Sequence, residues 1–107
     1  MKGNRVLSLL GLSKKAGRLV SGEFSTEPAV KTGKACLVLV SREASENTKK
    51  KFRNMCDYYQ VPIAVYGGKE ELGGSIGQEY RASLAVTDPG LAGAIRKQLE
   101  NEDERRS

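Results

Sequence analysis

The apolar positions change period along the chain, and the changes mark out alternating helices and strands. Val6, Leu9 and Leu10 recur at helical spacing, so residues 4–15 read as a first helix, which Gly17 ends. Arg18-Leu19-Val20-Ser21 is a short strand candidate. A second helix is expected to start between Gly22 and Thr26 and to end at Gly33, with Pro28 in its first turn, where a missing N–H costs no helix bond. Cys36-Leu37-Val38-Leu39-Val40 is a continuous apolar run, the pattern of a strand buried on both faces. The third helix is the clearest. Ser45 offers an N-cap, Glu46 complements the positive helix end, and Phe52, Met55, Cys56 and Tyr59 form one apolar stripe. Lys49, Lys50 and Arg53 point elsewhere. Residues 61–66 are the next strand, with Pro62 at its start. Residues 69–76 read as a short helix closed by Gly77, and residues 82–87 as the last strand. Asp88 caps a final helix that has Pro89 at its first position and runs through Leu99. Strands alternating with helices predict an α/β fold whose central, largely parallel or mixed sheet is covered on both faces.

Length and composition narrow this picture. The 107 residues fit one small domain, placed at residues 1–99, followed by a polar tail, ENEDERRS, expected to lack order. No run of eighteen apolar residues exists to span a membrane, so no membrane partner is expected. Arg5 precedes the apolar patch of the N-terminus and no small-residue cleavage site follows, which favours an amphipathic first helix over a signal peptide. Cys36 and Cys56 both sit in apolar contexts and read as buried, reduced thiols of a cytoplasmic protein. With two cysteines and no histidine, neither a metal site nor a cofactor is expected.

Charge is unevenly spread. Residues 1–54 carry twelve Lys and Arg against four acids, and residues 55–107 carry six against nine. The basic half is an electrostatic footprint for phosphate, although a solvated basic face would look the same. Its densest part is KKAGRLVSGEFSTEPAVKTGK, from Lys14 to Lys34, which combines basic residues, glycine breaks and a helix start with only two acids.

Catalytic chemistry finds little material. Ser41, Ser45 and Ser83 have no histidine to activate them. Cys36 and Cys56 belong to an apolar strand and an apolar helix stripe. Glu70 and Glu71, like Glu102 and Asp103, are adjacent and splay apart on a helix. The glycines at 67, 68, 73, 74 and 77 match neither a dinucleotide nor a Walker spacing and read as helix punctuation. The chain is therefore not expected to be an enzyme.

The order of elements, with KKAGRLVSGE, KACLVLVSREASENTKKK, CDYYQVPI, LGGSIG and SLAVTDPG in sequence, resembles the kink-turn-binding ribosomal protein superfamily, the L7Ae/L30e group, and in particular its short bacterial members. The likeness covers residues 3–99. It implies a three-layer α/β/α sandwich with a mixed four-stranded central sheet, and RNA binding at one end of that sheet. In the family, the N-terminus of the second helix enters the widened groove of a kinked RNA. Its pattern, Gly-x-Asn/Lys-Glu/Gln-x-x-Lys, reads the guanines of tandem sheared G·A pairs, and a second loop packs on an extruded nucleotide.

Carried over by position, Gly22 matches the leading glycine and Glu23 follows it. Phe24 falls at the Asn or Lys position, Ser25 at the Glu or Gln position and Pro28 at the Lys position, so three of the four signature side chains are replaced. The second loop maps to Gln78, Glu79 and Tyr80, with Arg81 following. Lys14, Lys15 and Arg18 are expected to line the same end and meet phosphates, with Arg42 nearby. A phenylalanine cannot donate to guanine O6, and each lost bidentate base contact removes about 1–3 kcal/mol of discrimination. The expectation is a monomeric, translation-associated protein that binds a structured RNA, with reduced guanine selectivity. The alternative is an adaptor on the same scaffold that offers Phe24 to a protein partner.

Overall fold

Successive residues of two central strands face opposite ways, and that alternation assembles the molecule. The computed structural model describes residues 4–106. In them the chain runs α1 (Arg5–Lys15), β1 (Leu19–Ser21), α2 (Glu23–Lys31), β2 (Leu37–Val40), α3 (Glu46–Tyr59), β3 (Ile63–Val65), α4 (Lys69–Ser75), β4 (Ser83–Val86) and α5 (Pro89–Arg106). The strands form one sheet in the order β1-β4-β2-β3. β2 and β3 are parallel, and β4 is antiparallel to both its neighbours, so the sheet is mixed. Leu37, Leu39, Leu84 and Val86 point to one face, where Val6, Leu10, Leu72 and Ile95 of α1, α4 and α5 cover them, with Ile76 just past the end of α4. Val38, Val40 and Ala85 point to the other, against Ala29 and Val30 of α2 and Phe52 and Cys56 of α3. The result is the three-layer α/β/α sandwich. All of β2 and β4 is buried, as continuous apolar runs require of central strands.

The helix starts are chemically specified. Asn4 Oδ1 accepts the N–H of Leu7 at 3.0 Å, Ser45 Oγ that of Thr48 at 3.1 Å, and Asp88 Oδ2 that of Leu91 at 2.8 Å. Each satisfies an N–H that the helix itself leaves unpaired.

Three details of the helices depart from the sequence reading. Pro28 is the sixth residue of α2, not part of its first turn. The helix starts as soon as Gly22 allows, because the Gly22 carbonyl already accepts the N–H of Thr26 at 2.8 Å. Pro28 cannot donate to the carbonyl of Phe24, but that carbonyl lies on the exposed first turn, where water can serve it. Tyr59 falls outside the apolar stripe and is 41% exposed, next to Tyr58 at 78%. A fourteen-residue helix is about 21 Å long, whereas a four-residue strand spans about 13 Å. The last turn of α3 therefore overhangs the sheet. The final helix continues past Leu99 through residues 100–106, which sequence reading placed in an unordered tail. Tyr66 explains part of this: its buried hydroxyl accepts from Asn4 Nδ2 at 2.8 Å and donates to Glu102 Oε2 at 3.2 Å, tying the start of α1 to the end of α5.

The two cysteines differ, and the expectation that both are buried fails for Cys36, which lies just before β2 at the sheet end rather than inside it. Cys56 is buried under α3, whereas Cys36 is only half-buried. Burial pushes the Cys56 thiol up to about 11, so almost no thiolate exists at neutral pH. With iodoacetamide at pH 8, Cys36 is expected to alkylate at least tenfold faster than Cys56 in the folded protein, and the two rates should converge in urea. Mass spectrometry of the labelled peptides checks this.

Candidate nucleic-acid interface

The direction of the strands decides which loops meet. Ser21 of β1 pairs with Leu84, Val40 of β2 with Ser83, and Val40 also with Val65. The start of α2, the loop into β4, the β2–α3 connection and the β3–α4 connection therefore share one end of the sheet. Gly22 stands at its corner.

Gly22 adopts φ 86° and ψ 151°, a region open essentially to glycine alone. Its N–H donates to the Ser83 carbonyl at 2.8 Å, which fixes the turn from β1 into α2 against β4. A Cβ at Gly22 would meet nothing within 4 Å, so the requirement is conformational rather than spatial. Gly22→Ala is expected to cost about 1–3 kcal/mol of stability from the strained dihedrals alone. Urea unfolding at a constant m-value measures it. Because the N-cap is a glycine, no side chain caps α2. The N–H groups of Glu23 and Phe24 point out of the helix start, where the dipole favours an anion.

The loop of Gln78, Glu79 and Tyr80 is held beside this corner. Arg81 Nε donates to Ser21 Oγ at 2.9 Å, its Nη1 to the Tyr80 carbonyl at 2.8 Å, and its backbone N–H to the Lys69 carbonyl at 3.0 Å. One arginine thus connects the end of β1, the loop and the start of α4. Gly73 lets the loop pass: a Cβ there would lie 2.7 Å from the Glu79 carbonyl oxygen. That glycine is a close-approach residue inside α4, not the helix punctuation that spacing suggests. Phe24, on the first turn of α2, is 96% exposed, and Tyr80, in the loop that Arg81 holds, is 56% exposed. Ser25 is exposed on the same first turn of α2.

Arg42 lies at this end but leans away from α2. Its N–H donates to the Gly67 carbonyl at 2.8 Å, and its guanidinium carbon sits 5.5 Å from the centre of the Tyr66 ring. The expected grouping fails for Lys14, Lys15 and Arg18. Thr87 N–H donates to the Arg18 carbonyl, and Arg18 N–H donates to the Ser13 carbonyl at the end of α1. All three cations therefore lie at the opposite end of the sheet. β1 carries the chain across it, and at about 3.3 Å per strand residue Arg18 and Gly22 are separated by about 13 Å.

Sequence reading missed Lys51. From α3 it reaches Glu23 Oε2 at 2.7 Å and Glu27 Oε1 at 2.8 Å, while Lys31 holds Glu27 Oε2 at 3.0 Å. Hydrogen bonds from Lys51 and then Lys31 hold the Glu27 carboxyl below its ordinary range, and those to Glu23 and Glu27 hold Lys51 above its own. The lowered Glu27 value means that the network persists at neutral pH and loosens only on acidification through that value. Its trace in the sequence was the i,i+4 pair Glu23 and Glu27 on α2, facing a Lys-rich helix. Among the described residues, no three His, Cys, Asp or Glu side chains gather as a metal-ligand set, and no helix is long and apolar enough to cross a membrane.

A mixed four-stranded sheet between helical layers, with a glycine-led helix start set against a bridging loop at one sheet end, defines a recognisable class of α/β/α domain. The model of the ribosomal protein L7Ae/L30e/S12e/Gadd45 family matches residues 4–95, and the chain belongs to that family. It is 41% identical over 95 residues to the RNA-binding protein YlxQ of Bacillus subtilis, covering 89% of this chain and 95% of that one. It is 33% identical over 85 residues to the large ribosomal subunit protein eL30 of Spodoptera frugiperda, covering 78% and 75%. The solved structure of a Bacillus halodurans protein of unknown function superposes with a TM-score of 0.89 at 36% identity, over 92% of this chain and 99% of that one.

Proposed function

We propose that this protein binds a kinked or internally looped RNA through the N-terminus of α2 and the loop before β4. The observation that carries the reading is the Arg81 bridge, which holds the uncapped, glycine-led start of α2 beside the loop bearing Tyr80. The helix start supplies N–H groups and a positive dipole end for phosphate. Phe24 and Tyr80 supply exposed ring faces, the material for stacking unpaired bases. Membership of the family and likeness to an RNA-binding relative support the same substrate class. The tip is short of base-edge readers: Phe24 and Pro28 carry no side-chain donor, and Lys51 neutralises Glu23. Affinity therefore rests on shape, stacking and phosphate more than on guanine edges.

An electrophoretic shift against a kink-turn RNA and a straight duplex, at two salt concentrations, tests the reading. Preference for the kinked RNA is expected at both; equal binding to the two would overturn it. Phe24→Ala separates the roles of the ring. Loss of one stacked base costs about 1–3 kcal/mol, so RNA affinity is expected to fall about tenfold. The 96% exposure of Phe24 also favours a second reading, in which the tip docks a protein. Unchanged RNA affinity in Phe24→Ala, with a protein partner lost, would select that reading.

A further inference from the structure

The three cations that leave the Gly22 end do not scatter. Lys14 and Lys15 close α1, Arg18 immediately precedes β1, and Lys34 follows the end of α2, so all four rim the opposite end of the sheet, and all four are exposed. Among the described residues, ion pairs engage Lys31, Lys49 and Lys51, and none of these four. Helix-dipole compensation accounts for only part of them. α1 and α2 both end here, each presenting about half a negative charge, while the end of α3 and the start of α5 offset each other. Asp88 adds one acid and is occupied in capping α5. Asp57 lies on the β3 side, beside Pro62 and Ile63. Roughly two positive charges remain in surplus.

We propose that this far end is a second RNA-contacting face, and that the protein holds two RNA segments at once, one at each end of the sheet. The inference rests on the tip reading above and adds a separate surface to it. Its chemistry leans on charge: four exposed cations outside any ion pair suit the phosphate backbone of a duplex, while the exposed rings at this end, Tyr58 and Tyr59, close α3 on the β3 side. The two ends can be filled together. Arg18 and Gly22 are about 13 Å apart along β1, beyond the screening length of about 8 Å at physiological salt, so RNA at one end repels RNA at the other only weakly.

The test uses the full chain, an immobilised kink-turn RNA and a fluorescent straight RNA duplex in solution. Wild-type protein loaded on the immobilised RNA is expected to capture the duplex. Neutralising the far end in K14Q/K15Q/R18Q/K34Q is expected to reduce capture at least tenfold and to flatten the salt dependence of that capture, while affinity for the kink-turn RNA stays within threefold. The corresponding Lys→Arg variant, with Arg18 intact, should still capture, and matched thermal melts confirm that both fold. No duplex capture by the wild type, or equal capture by the neutralised variant, overturns the second face and leaves the tip untouched. A large loss of kink-turn affinity in the neutralised variant also overturns it, because the two ends would then form one footprint. Failure of the tip reading appears separately, as kink-turn affinity unchanged by Arg81→Glu.

Discussion

Arg81→Glu is expected to lower affinity for a kinked RNA about a hundredfold. The arginine makes two contacts with its side chain, to Ser21 Oγ at 2.9 Å and to the Tyr80 carbonyl at 2.8 Å, so its charge stands between the end of β1 and the loop. Reversal removes a cation from the phosphate path, adds an anion beside the helix start and releases the loop from β1. A hydrogen bond from a charged group is worth about 1.5–3 kcal/mol, and a hundredfold loss corresponds to about 2.8 kcal/mol. One such bond with added repulsion therefore suffices. Arg81→Lys keeps the charge but not the fork, so it should recover part of the phosphate affinity while leaving the loop less fixed. Filter binding at two salt concentrations distinguishes the components, since lost phosphate contact flattens the salt slope. Equal affinity of wild type and Arg81→Glu would remove this end from the interface.

The tip is less basic than the N-terminal half of the chain suggests. Glu23 and Glu27 draw Lys51 and Lys31 into a closed network along α2, so those lysines brace the helix rather than advertise charge. Each such exposed pair contributes little to stability. What the network does is hold the first turns of α2 against α3, with Phe24 projecting past them. Positive charge free of such pairing stands at both ends, on Arg42, Lys50 and Arg81 near the tip and on Lys14, Lys15, Arg18 and Lys34 at the other end.

Much of the layering was legible because apolar runs and helical stripes report burial directly. Leu37 to Val40 reads as a central strand, and Phe52 with Cys56 as a helix face, from side chains alone. Sheet order and strand direction were not legible, and the misplacement of Arg18 follows from that. Only three residues separate it from Gly22 in sequence, but a strand turns that interval into the depth of the sheet. Pro28 misled for a related reason: its best-tolerated position argues for a later helix start, whereas Gly22, with dihedrals few other residues adopt, starts the helix at once. The role of Gly73 was hidden because a glycine inside a short helix looks the same in sequence whether it ends the helix or admits a neighbouring loop. Arg81 was named for its place after the loop, yet its bond to Ser21 spans sixty residues and no local pattern announces it.

Phe52→Ala is expected to destabilise the fold by about 3–5 kcal/mol, the range for removing a fully buried aromatic side chain. Phe52 is wholly buried and is the large side chain by which α3 packs on Val38, Val40 and Ala85. Those residues are strand backbone neighbours held at both sides, so the sheet cannot collapse into the space left behind, and the cavity persists. Stability of a domain this size is about 5–15 kcal/mol, so the loss takes a large share of the total. Phe52→Leu retains most of the volume and should cost less, about 1–2 kcal/mol. Denaturant midpoints at unchanged m-value would show the difference as stability rather than altered compactness. The substitution also reports on the tip. α3 carries Lys51, the preceding residue, whose bonds to Glu23 and Glu27 hold the start of α2. Loosening α3 should release that brace before the sheet unfolds, so hydrogen exchange in the first turns of α2 is expected to rise in Phe52→Ala under conditions where β2 and β4 remain protected. Protection lost uniformly across all elements would mean that α3 and the sheet open as one unit.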